Sequence, residues 1–162
     1  MKKFLGLILA LLCLLALAGC GDAPEQKESK LDAIPFQDDQ LYAVAYLGYD
    51  EIQDLSFYTE NYLDDENLPI HYISKGDYYL IIPRDTDMTV RLYRNDIETM
   101  DSSLLYEDTE CRPFIIQCNV SDIFPDATIR LTHQTESVEF SPYISLQDGS
   151  VMVGVRGLNI TK

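Results

Sequence analysis

From about position 36 onward, hydrophobic and polar side chains alternate with a period of two along most of the chain, which is the spacing of half-buried strands. Leu41 to Leu47 departs from strict alternation, because Tyr42, Val44 and Tyr46 fall on one face while Ala43, Ala45 and Leu47 fall on the other. Apolar character on both faces predicts a central strand, closed by Gly48. The period then changes. Ile52, Leu55, Tyr58 and Tyr62 recur every three to four residues, with Asp50 placed to cap the amino end, so a helix is expected over Glu51 to Leu63. Asp64-Asp65-Glu66-Asn67 breaks it ahead of Pro69.

Beyond Pro69 short apolar runs are punctuated by turn residues. Ile70 to Ser74 and Tyr78 to Ile82 flank Lys75-Gly76-Asp77, which has hairpin chemistry. Thr89 to Arg94, Leu104 to Glu107, Phe114 to Asn119, Ala127 to Thr132, Val138 to Ser145 and Val151 to Val155 follow, separated by Asp-, Pro- and Gly-containing links. About nine strands and one helix are therefore expected. The fold class is mainly β (α+β): an antiparallel sandwich or partly closed barrel, with the helix over an end or edge. Residues 36–162 form one domain, since a body of this length buries a single core.

The first nineteen residues belong to a different object. Met1-Lys2-Lys3 is a short positive start, and Phe4 to Leu17 is an apolar run of secretory length, too short to span a bilayer comfortably. It ends in Leu17-Ala18-Gly19-Cys20, which resembles the lipobox of bacterial lipoproteins. That resemblance implies a signal peptide over 1–19, cleavage between Gly19 and Cys20, and a diacylglyceryl thioether on the Cys20 sulfur. Two acyl chains suffice for stable attachment, so the resemblance makes the membrane, reached through this N-terminal lipid, the first partner. The stretch from Cys20 to Pro35 is polar and without apolar period, and reads as a flexible tether with a root-mean-square span near 20 Å and a limit around 50 Å. The whole is similar to the small surface lipoproteins of Gram-positive bacteria.

Charge narrows the function. The chain carries 12 basic and 27 acidic residues. Removing Lys2 and Lys3 with the leader leaves 10 against 27, or −17. Nucleic-acid binding is excluded as an electrostatic design, and a folded face that sits on anionic headgroups is disfavoured.

Candidate chemistry is sparse. Cys13 leaves with the leader and Cys20 is the anchor, so Cys111 and Cys118 remain. An exported location permits a bridge between them. Seven extended steps would hold them more than 20 Å apart unless Arg112-Pro113 turns the chain, so the bridge and a plain buried thiol both stay open. His71 and His133, the two histidines, read as strand residues with satisfied rings. No nucleophile elbow, zinc signature or phosphate loop occurs. Calcium is the cofactor the acidic residues suggest: Asp85-x-Asp87 with Asn95-Asp96, Asp64-Asp65-Glu66, or Asp122 with Asp126. None reproduces an EF-hand loop, and turn and capping roles explain most of them, so no cofactor is assigned. Tyr42-x-x-x-Tyr46 and Tyr58-x-x-x-Tyr62 resemble, over five residues, the haem ligands of surface haem-binding sandwich domains; on a strand and a helix the same pairs share packing faces. Two functions are expected of such a chain. The first is a non-catalytic binding or accessory module for a protein or envelope component, which calls for a partly apolar exposed patch. The second is a cell-envelope hydrolase working with carboxylates, which calls for a concave site with acids of raised pKa.

Overall fold

The computed structural model describes residues 29–36, 40–119, 125–147 and 150–156. Along the chain lie a 3-10 turn (Lys30–Ala33), β1 (Tyr42–Tyr49), α1 (Leu55–Asn61), β2 (Ile70–Tyr72), β3 (Asp77–Pro83), β4 (Thr89–Asn95), β5 (Ser102–Asp108), β6 (Phe114–Cys118), β7 (Ala127–His133), β8 (Glu136–Gln147) and β9 (Ser150–Arg156). They form a four-stranded sheet, β1-β3-β6-β2, and a five-stranded sheet, β5-β4-β7-β8-β9. The fold is thus mainly β, sandwich-like, with two open sheets. Every pairing is antiparallel except β2 with β6.

Alternation places the core. Tyr42 on β1, Tyr79 and Ile81 on β3, and Phe114, Ile116 and Cys118 on β6 face Val90 and Leu92 on β4, Ile129 and Leu131 on β7, and Val138 and Phe140 on β8. Tyr42 and Phe140 close the contact by stacking at 3.8 Å between ring centroids. The opposite face of the four-stranded sheet is also covered. Leu47, Leu80, Ile82 and Ile115 pack beneath α1 and the 3-10 turn through Leu55, Tyr58, Tyr62, Leu31 and Ile34. β3 and β6 are consequently buried on both faces, which is why their sequences, DYYLIIP and FIIQC, are almost continuously apolar. On the outer face of the five-stranded sheet Arg130 pairs with Glu139 and Arg91 with Glu107.

Five expectations change. The helix starts at Leu55 and not Glu51, because Asp50 and Asp54 both take left-handed backbone (φ 62° and 56°) and loop the chain before the first turn. It covers the outer face of the four-stranded sheet and not an end or edge. β1 is an edge strand in hydrogen-bonding terms, pairing with β3 alone; its two apolar faces arise from the layers above and below it. The Ile70–Ser74 and Tyr78–Ile82 segments are not a hairpin. β6 lies between them, parallel to β2 and antiparallel to β3, and the intervening residues arch over its end. Gly76 serves close approach instead of turn geometry: a Cβ there would lie 2.5 Å from the Cys118 carbonyl oxygen. Finally, residues 29–35, expected as tether, belong to the folded body. Leu31, Ile34 and Phe36 pack onto the sheet, and the Lys30 ammonium donates to the Thr59 and Leu63 carbonyls (2.8 and 3.1 Å) at the carboxyl end of α1, where a cation complements the helix dipole.

Candidate functional site

Gly19 and Cys20, the expected cleavage and lipidation positions, lie outside the described residues, as do Asp122 and its surroundings. Cys111 and Cys118 are both free and buried. The bridge is not formed in the structure. Each thiol sits in the inter-sheet core, and burial pushes both up to about 12, aided by Asp108 beside Cys111 and by Asp126 and Asp77 near Cys118. At pH 8 only about one such thiol in ten thousand is ionised, against about one in four for an ordinary cysteine. Alkylation of the native mature protein is therefore expected to label neither cysteine, and denaturation without reductant is expected to expose two reactive thiols per chain, as read by mass. Two unreactive cysteines in denaturant would show a bridge after all.

The ring expected to be satisfied at His71 is not: its Nε2 is buried with no hydrogen-bond partner among the described residues. His71 turns into the sandwich, its ring 4.3 Å from Tyr106 and 5.7 Å from Phe114. Burial lowers its pKa, so it is neutral at physiological pH. His133 is bracketed by Asp85 on Nδ1 (3.9 Å) and Asp87 on Nε2 (3.3 Å), so the two carboxylates address opposite nitrogens and do not converge. Of the proposed calcium ligands, Asp85 and Asp87 precede β4 while Asn95 ends it and Asp96 follows, about 20 Å away along a seven-residue strand. Asp65 accepts from the Asn67 amide, Asp96 from the Glu98 and Thr99 amides, and Asp126 from the Ser74 hydroxyl. Among the described residues no three His, Cys, Asp or Glu side chains are arranged to hold a metal. The tyrosine pairs pack as well: Tyr46 sits edge-on to Tyr79, and Tyr58 and Tyr62 surround Phe57.

A cleft of about 480 Å³ opens between the loop after α1 and the start of β6, lined by Asp64, Asp65, Tyr106, Asp108, Glu110 and Arg112 among others. Its best-held acid is Asp108. The Glu110 amide and the Tyr106 hydroxyl donate to it and keep its carboxyl below the ordinary range, which suits a fixed acceptor and opposes a general acid. Asp77, whose carboxyl is raised by burial and by the Asp50 charge, does not line this cleft.

The second feature is an apolar patch around β5. This strand pairs with β4 alone. Its register shifts between Leu92 and Tyr93, so that Tyr106 opposes Leu92 and Leu104 opposes Tyr93, leaving Leu105 as the extra residue of a bulge. Tyr106 points into the core, and Leu104 and Leu105 are released to solvent. Ile97 and Met100, in the connection before β5, add to them; the four side chains are 44–65% exposed. The Arg94 guanidinium on β4 donates to the Tyr72 carbonyl on the facing edge strand β2 (3.5 Å). The corner is rigid. Buried Asn95 donates to Pro125 and Thr128 and accepts from Ser102. Asp96 folds the connection back on itself, with Met100 held at φ 60°, a left-handed conformation that costs a β-carbon residue on the order of 1 kcal/mol. Sequence reasoning missed this patch because a strict period of two hides one leucine of the pair, and only the cross-strand register reveals the bulge.

Family models, curated proteins and solved structures yield no match to this chain, so its reading rests on its own residues.

Proposed function

We propose that this chain is a membrane-anchored extracytoplasmic lipoprotein, its domain a non-catalytic binding or accessory module for a protein or envelope component. The lipobox at Leu17 to Cys20 supports the anchor. The single observation that supports the binding role is the group of exposed apolar side chains on and just before β5, Leu104, Leu105, Ile97 and Met100, since exposed apolar surface gathered on one element marks an interaction site. The carboxylate-hydrolase alternative draws less support, because the acid best fixed in the cleft is held ionised.

The test is a photo-cross-linking amino acid at position 105 in cells producing the full chain, compared with one at exposed Glu136, the first residue of β8. Discrete adducts from position 105 and none from 136 are expected. Identical patterns at both positions, or no adduct from 105, would overturn the binding role.

A further inference from the structure

We infer that β5 takes up an extended, basic segment of a partner protein by strand addition, the segment lying antiparallel or parallel along the free edge of the five-stranded sheet. This rests on the binding-module reading and gives it a partner class. Among the described residues β5 has one hydrogen-bonded neighbour, so its other side offers the amides and carbonyls that an added strand satisfies. Seven residues, Ser102–Asp108, span about 20 Å, enough for a ligand strand of five or six.

Side chains around that edge say what the ligand is. The middle offers Leu104 and Leu105. Both ends are acidic: Asp96, Glu98 and Asp101 precede the strand, while Glu107, Asp108 and Glu110 close it. Three cations lie near: Arg91 is paired with Glu107 at 2.9 Å, Arg94 donates to the Tyr72 carbonyl, and Arg112 offsets part of the charge of Asp108, so three acids before the strand and Glu110 after it stay in excess. An incoming strand with apolar residues at its centre and Lys or Arg at its ends is therefore complementary, and electrostatic attraction speeds its encounter. A second copy of this chain is not. Antiparallel pairing of two β5 edges would set the carboxylates at one end against those at the other, in molecules whose charge is already −15.

The probe is a synthetic peptide, Lys-Leu-Thr-Val-Thr-Leu-Lys, titrated into the full mature protein by fluorescence anisotropy. Its controls are a version with Glu in place of both Lys and two versions N-methylated on alternate amides. The basic peptide is expected to bind at least tenfold more tightly than the acidic one. One of the N-methylated versions should lose at least tenfold, since it cannot complete the ladder, and hydrogen exchange of β5 amides should slow on binding. Leu105→Lys, a substitution at an exposed site that the fold tolerates, should weaken the basic peptide at least tenfold. Equal binding of basic and acidic peptides overturns the charge assignment. Undiminished binding by both N-methylated peptides with unchanged β5 exchange overturns strand addition; if adducts at position 105 persist in cells, the binding module stands and only its mode falls. A dimer in light scattering that Leu105→Lys abolishes would make a second copy the occupant and overturn the inference.

Discussion

Gly76→Ala is expected to cost about 4 kcal/mol of stability, read as a lower urea midpoint with unchanged slope. The new methyl would lie 2.5 Å from the Cys118 carbonyl oxygen, 2.7 Å from Asn119 Cα and 2.8 Å from Asn119 N. All three are backbone atoms, so no side chain can swing away. Either the arch over β6 lifts or the end of β6 shifts. Lifting breaks the bond from Gln117 Nε2 to the Gly76 carbonyl (3.0 Å) and strains those from the Ile73 and Ser74 amides to the Gln117 carbonyl. Overpacking of a rigid site costs about 1–3 kcal/mol, and a buried side-chain amide left unpaired costs about 1–3 kcal/mol more. Against a total stability of about 5–15 kcal/mol for a domain, one methyl removes a large share. Lys75→Ala, at the adjacent position, is the contrast. Its ion pair with Asp50 is long (3.8 Å) and its side chain is 85% exposed, so a change within about 0.5 kcal/mol is expected. A Gly76→Ala midpoint matching that of Lys75→Ala would show that the arch does not press on β6.

That arch also marks the boundary of what the sequence makes legible. The nine strands are readable because each carries its own local alternation or, in β3 and β6, its own uninterrupted apolar run. Which strands pair is another matter. Gly76 between two short strands has the chemistry of a hairpin turn, and nothing local reveals that Phe114 to Cys118, some forty residues later, will lie between them. The same limit hid the β5 bulge, since the position of the extra residue is set by where Leu92 and Tyr93 sit on β4. At the amino end the difficulty is sparse signal. Two large apolar residues, Leu31 and Ile34, in a polar stretch read as tether, yet a half-covered sheet and an open helix terminus are enough to hold them. Of the candidate site, the acidity was legible and the apolar corner was not. Charge is a property of composition, whereas exposure of a leucine is a property of register.

Cys20→Ala is expected to abolish acylation completely, the largest change any single substitution should make to where this protein resides. The thioether needs the sulfur as nucleophile; alanine offers none. In the proposed mature protein two acyl chains contribute about 0.8 kcal/mol for each buried methylene, which makes attachment effectively permanent on cellular timescales. The fold adds a geometric consequence. Because Ser29 already caps the docked 3-10 turn and Lys30 is fixed to α1, the proposed anchor at Cys20 lies nine positions before the first packed residue, a distance of at most about 30 Å. The domain would be held within its own diameter of the bilayer, and its negative charge would keep it from lying on anionic lipid. Metabolic labelling with an alkyne fatty acid, followed by membrane fractionation and mass measurement of the amino terminus, checks this. The unaltered chain should carry label, start at Cys20 and sediment with membranes; the variant should carry none, and either be released or retain residues 1–19. Unlabelled native protein that keeps its first nineteen residues would refute the anchor. Labelled protein released from membranes by mild salt would leave acylation standing and refute the claim that two chains hold it.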